Sequence, residues 1–139
     1  MSSIRDQIVA AVATLAHVTG TTVFRSRRAP IERAEGIVVF VEPAEETVDN
    51  RSVGQAIRDL VLDISVFIRS ATPDSALDST LVAIHAALMA DPTLAGKCAR
   101  IIEEGTTWTT EEADLTALEV SMRYRIRYAT QTNALDRAL

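Results

Sequence analysis

From Leu118 to Tyr128 apolar and polar side chains alternate without a break: Leu118, Val120, Met122, Tyr124, Ile126 and Tyr128 are interleaved with Glu119, Ser121, Arg123, Arg125 and Arg127. An extended chain sends every second residue to the same side, so the segment is a strand with one apolar and one charged face. A sheet built on it needs a cover on the apolar side. A second period-two run carries Leu60, Leu62, Ile64, Val66 and Ile68 on one face and Asp59, Asp63, Ser65 and Arg69 on the other. Val61 and Phe67, on that polar side, imply that part of it is covered too. Ile37 to Val41 is continuously apolar between Gly36 and Pro43, the pattern of a central strand buried on both faces. Thr22 to Arg25 and Arg100 to Trp108 read as shorter strands, the latter closed by a turn at Glu111 and Glu112.

Two amphipathic helices supply the cover. Ser3, with Asp6 three positions on, starts the first, and Ile4, Ile8, Ala11, Val12 and Leu15 recur at helical spacing until Gly20. Thr72, Pro73 and Asp74 give the second a capping residue, a proline at the first helical position and a carboxylate in the first turn. Leu77, Leu81, Ile84 and Leu88 mark its buried stripe, which Asp91 and Pro92 end. The order helix, three strands, helix, two strands predicts an α+β two-layer sandwich with both helices on one face of a single sheet. A chain of 139 residues fits one such domain, over 1–129, with 130–139 as a flexible C-terminal tail where periodicity is lost.

Chemistry has little to work with. His17, His85 and Cys98 fall on separate elements, and no glycine-rich phosphate loop is present, so neither a catalytic nor a cofactor nor a metal site is expected. Lys97 and Arg100 near Cys98 could lower its thiol pKa, but with no resolving cysteine or base nearby a structural thiol is favoured. That single cysteine fits a reducing, intracellular setting, and no run approaches the roughly 18 apolar residues of a membrane span.

What remains is charge. The net charge of -5 argues against a sequence-independent grip on nucleic acid. Arg25, Arg27 and Arg28, with Arg33, sit in the first long loop, and Glu42, Glu45 and Glu46, with Asp49, in an acidic loop that includes Pro43. Arg123, Arg125 and Arg127 share one face of the last strand. The arginine row suits either a solvated face that discourages aggregation or a contact with acidic residues of a neighbouring subunit. An acidic loop and a basic strand on one domain would give a head-to-tail ring two complementary faces.

Taken in order, "IRDQIVAAVATLA", "TTVFRSR", "GIVVFVEP", "RDLVLDISVFIR", "LDSTLVAIHAALMADPTLAG" and "ALEVSMRYRIRYAT" resemble the tail-terminator proteins of long-tailed bacteriophages, the minor tail protein U family. The resemblance covers most of the chain and rests on order, spacing and length. It implies a mixed sheet with helices on one side and a homohexameric ring at the head-proximal end of the tail in the virion, assembled in the host cytoplasm. Such a ring stops addition of major tail tube protein, offers a surface to the head–tail connector protein and lets genome DNA through its lumen without specific binding. It implies no catalytic residue, cofactor or membrane. The alternatives are another phage neck or head-completion connector, and a small α+β ligand-binding module, which would need a pocket with convergent polar groups.

Overall fold

The two alternating runs lie side by side. β3 (Gln55–Ser70) and β5 (Thr116–Gln131) pair antiparallel over their whole lengths, from Gln55 opposite Gln131 to Ser70 opposite Thr116. This register puts Leu60, Leu62, Ile64 and Val66 opposite Ile126, Tyr124, Met122 and Val120, so the two apolar faces fuse into one. A slip of one residue would turn either strand's apolar set to the wrong side. The computed structural model describes residues 2–18, 20–25, 36–70, 73–111 and 116–138. Around the central pair, β2 (Ile37–Ser52) lies beside β3, β4 (Arg100–Glu111) beside β5, and β1 (Thr21–Phe24) parallel to β2 at the edge. One parallel pair among antiparallel ones makes the sheet mixed.

Both helices pack on the fused apolar face, as the pattern requires. α1 (Ile4–Ala16) begins at Ser3, whose side chain accepts the Asp6 N–H at 3.0 Å, and buries Ile4, Ile8, Val9, Val12 and Ala16. α2 (Pro73–Ala90) buries Leu77, Thr80, Ile84 and Leu88. With Val39, Val41, Leu60, Leu62, Ile64, Val66 and the inward side of β5 they form one continuous core. Each such side chain contributes roughly 1.5–3 kcal/mol. The α+β class and the one-sided helix layer therefore follow the sequence-based expectation. Glu111, assigned from sequence to a turn, is the last residue of β4, while Glu112 of that turn and Thr72, assigned to a helix start, lie outside the described residues.

Two segments differ from that expectation. The acidic stretch after Pro43 is not a loop: β2 continues through it to Ser52, pairing with β3 as far as Ser52 opposite Gln55. Pro43 is accommodated because the register shifts between Pro43 and Glu45, and because β1 covers only Ile37 to Phe40 of the outer edge; strands accept proline at bulges and edges. At the C-terminus, where the sequence suggests a tail, β5 runs on to Gln131 and a short strand β6 (Ala134–Ala138) turns back along it. The residues of 130–138 are polar enough to hide this, and their pairing is with backbone, which leaves no periodic trace.

The turn after α2 holds three successive left-handed residues, Leu94 (φ 50°), Ala95 (φ 57°) and Gly96 (φ 86°). Two of them carry side chains that disfavour this conformation. The Asp91 carboxylate accepts the Ala95 N–H at 3.0 Å, and Leu94, 1% exposed, plugs the core beneath, which offsets the strain.

Candidate functional site

Because partners across a ladder share a face, the register also assembles the opposite side of the sheet, which is helix-free among the described residues. There the rows run Glu42–Asp63–Arg123–Gly105, Glu45–Val61–Arg125–Ile102, and Thr47–Asp59–Arg127–Arg100 across β2, β3, β5 and β4. Two predicted clusters, Glu42 with Glu45 and the three arginines, thus meet on one face. The acidic and basic groups are therefore neighbours, because β2 and β5 flank the same strand with their charged sides pointing the same way.

Each arginine is held by a carboxylate of its own chain. Arg127 donates from Nε and Nη2 to both oxygens of Asp59 at 2.9 and 3.0 Å, and Arg123 does the same to Asp63 at 2.8 and 3.0 Å. Arg125 donates to Glu104, which the bulge between Glu103 and Gly105 turns onto this face. The fork of a guanidinium fits a carboxylate with two parallel hydrogen bonds, which fixes side chains that would otherwise sweep the surface. Val61, 1% exposed although no described helix covers this side, has Glu45 and Arg125 of this array as its partners across the ladder. Hydrogen bonds donated to Asp59, Asp63 and Glu104 raise the pKa of Arg127, Arg123 and Arg125 respectively, with Glu45 adding to the field at Arg123 and Arg125.

The Arg127 hydrogen bond holds the Asp59 carboxyl below the usual carboxylate range, against a smaller opposing effect of burial. Its contribution to stability is complete above the unfolded-chain value and is lost as pH falls through the folded one, below about pH 4. An Asp59→Asn variant is therefore expected to lose less stability than the parent between neutral pH and pH 3 in denaturant titrations. Parallel acid limbs for the two proteins would rule out the assignment.

The remaining predicted residues lie elsewhere. Glu46 belongs to the helix face: its Oε2 accepts from Arg5 at 2.8 Å and Arg58 at 3.4 Å, its Oε1 from the Tyr128 hydroxyl, and its side chain is 11% exposed. Arg25 pairs with Asp6 of α1 at 2.6 Å on the surface, while Arg27 and Arg28 lie outside the described residues, as does Arg33. Sequence reasoning did not find Asp59, Asp63 and Glu104 as the arginines' partners. The spacing of Asp59 and Asp63 on one strand face was a signal; the bulge that turns Glu104 was not.

The groups examined for chemistry do not converge. His85 Nδ1 lies 2.8 Å from the Tyr124 hydroxyl and 3.1 Å from Glu103, tying α2 to β4 and β5. Burial, with Glu103 second, pushes Tyr124 up to about 12. Cys98 is also shifted upward, to about 11, chiefly by burial, so the flanking Lys97 and Arg100 do not activate it as their charges suggested. Among the described residues no group of three or more His, Cys, Asp or Glu side chains could hold a metal ion, and no helix is long and apolar enough to cross a membrane. The helix-free face offers an open groove of about 530 Å³ along Asp63, Glu104, Ser121 and Arg123, a shape suited to a broad contact more than to an enclosed small molecule.

No curated protein matches the chain. A chain from the virion of a native gene transfer agent particle is 18% identical over 90% of this chain and 92% of that one, with a TM-score of 0.31, too low to carry an argument. The sequence profile of phage minor tail protein U matches residues 1–128, which takes in both helices, β1 to β4 and most of β5. The chain belongs to the phage minor tail protein U family, and its role is that of a structural component of a phage tail.

Proposed function

We propose that the protein forms a homohexameric ring at the head-proximal end of the tail, ends polymerisation of the tube and presents the joining surface for the head. The observation that carries this reading is the family match over residues 1–128, nearly the whole chain. In this reading residues 1–129 act as one domain, the protein catalyses no reaction, and genome DNA passes through the lumen without a specific grip. A net charge of -5 suits that passage, since phosphate binding draws on basic surface.

The helix-free face is the surface proposed to meet the tube. Its arginines are prefixed by Asp59, Asp63 and Glu104, so a partner gains their hydrogen-bonding edges at small ordering cost. Glu42 and Glu45 border them, and Arg25, Arg27 and Arg28 are assigned to a neighbouring contact in the same assembly.

The reading is tested by light scattering over a concentration series and electron microscopy, alone and with tail tubes that lack a terminator. A six-subunit ring, free or on tube ends, is the expected result; a stable twofold dimer that ignores tube ends would overturn it. Reversing Arg123 and Arg125 to glutamate is expected to cut capture on tube ends by at least about tenfold, with folding retained, because ion pairs made by exposed side chains add little to the stability of the monomer. Normal capture by that variant would return the face to plain solvent exposure.

A further inference from the structure

Exposed apolar side chains gather at two distant places on the domain. One is the tip of the β2–β3 hairpin, where Val53 is fully exposed ahead of Gly54, whose φ of 80° closes the turn. Gly54 O accepts the Thr132 N–H at 3.0 Å, which brings the β5–β6 turn, and Leu135 beyond it, alongside the tip. Leu135 is 47% exposed, and Arg137, two residues on, is exposed as well.

The other is a notch of about 310 Å³ between α2 and β4, floored by Leu77, Leu118 and Val120 and walled by Leu81, Trp108 and Asp78. Trp108 is 64% exposed there, and Val82, 62% exposed, continues the Asp78–Leu81 stripe of α2 at helical spacing. A tryptophan half out of water at the mouth of an apolar notch is the kind of residue that dominates protein contacts.

The notch lies in the row of Val66 and the tip beyond the row of Gln55, eleven residues away along β3 and thus about 36 Å apart at the rise of a strand. One copy cannot bring its own tip to its own notch. The tip is convex, small and flanked by a cation; the notch is concave, apolar and flanked by an anion. Two unlike patches on one chain that fit each other make a heterologous contact, which closes into a ring when the rotation between copies permits.

We propose that the hairpin tip of one copy seats Val53 in the Trp108 notch of the next, with Arg137 of the first beside Asp78 of the second. The joint rests on the ring reading above and names its subunit contact. A protein contact of ordinary size takes about 800 Å² per partner, about a tenth of this chain's 7734 Å² surface, so the two patches would form its centre.

The test uses the full chain with Val53→Asp and Trp108→Glu, both at exposed positions, with circular dichroism to show that each variant folds. In sedimentation velocity, with tube ends as a second readout, each variant alone is expected to need at least about tenfold more protein to associate than the parent. A mixture of the two retains one intact notch and one intact tip, so it is expected to give a one-to-one dimer and nothing larger. If both variants form the parent's ring undiminished, or if their mixture forms no dimer while the parent forms rings, the tip-and-notch joint is overturned and the ring stands. A parent that never associates, alone or on tube ends, overturns the ring and the joint together.

Discussion

A Glu46→Leu variant is expected to unfold about 10 °C below the parent, a loss of about 3 kcal/mol. The carboxylate gathers three donors from three elements, Arg5 of α1, Arg58 of β3 and Tyr128 of β5, on the side of the sheet that the helices cover. Arg58 is 11% exposed and its other partner is the Thr130 hydroxyl at 3.0 Å, so removing Glu46 leaves a guanidinium largely out of water with no counter-charge. That penalty, more than the bonds themselves, sets the size of the effect; the 38% exposure of Arg5 keeps it at the lower end of the range for a broken buried pair. Burial first, then the bond to Glu46, raises the Tyr128 pKa, so the hydroxyl stays protonated and can donate. Tyr128→Phe should therefore cost about 1 kcal/mol, the net worth of one hydrogen bond. Glu45→Gln, one position away on the opposite, exposed side, should leave the melting temperature within about 2 °C of the parent. Thermal melts followed by circular dichroism decide it: if Glu46→Leu and Glu45→Gln melt together, the network does not fasten α1 to the sheet.

Glu46 also shows where a sequence stops being legible. Alternation over Leu118–Tyr128 and Leu60–Ile68, and the helical stripes from Ile4 and Leu77, named the strands and helices correctly because each has one wet and one dry side, a local property written at fixed spacing. Glu42, Glu45 and Glu46 gave no such signal. They lie on a strand that β1 borders only as far as Phe40, and proline and acidic residues together mimic a loop. Alternation sends Glu45 and Glu46 to opposite faces, and the bulge after Pro43 sets Glu45 instead of Glu46 on the face of Glu42, separating residues that sequence groups as one cluster. The arginine row was visible as three positions, but its partners depend on register between strands some 60 residues apart in the chain, such as Asp63 with Arg123. Pairing at that range is set by the whole sheet and leaves no mark on either segment alone. The same holds for Trp108: its place on a strand was readable, its notch required α2 beside it.

The last expectation separates the two faces of β3 with one substitution made twice. Val66 and Val61 are both valines on the same strand, 0% and 1% exposed, so burial alone predicts equal losses on truncation to alanine. Their surroundings differ. Val66 stands between Val39 and Val120 under the helix layer, where a branched, close-packed neighbourhood cannot collapse into a hole. Val61 stands between Glu45 and Arg125, unbranched side chains whose charged ends reach toward water. Such stems can settle into the space that two lost methyl groups leave, and water can reach the rest. Val66→Ala is therefore expected to cost about 3 kcal/mol and Val61→Ala about 1 kcal/mol, because the cost of a truncation depends on how far the site can relax. Urea titrations with unchanged slopes would read both values directly. Equal losses would mean that the arginine array is as rigid as the core, a permanent second layer of the fold. The unequal result leaves it an adaptable surface, its ion pairs holding guanidinium edges in place while the layer beneath them yields to whatever docks there.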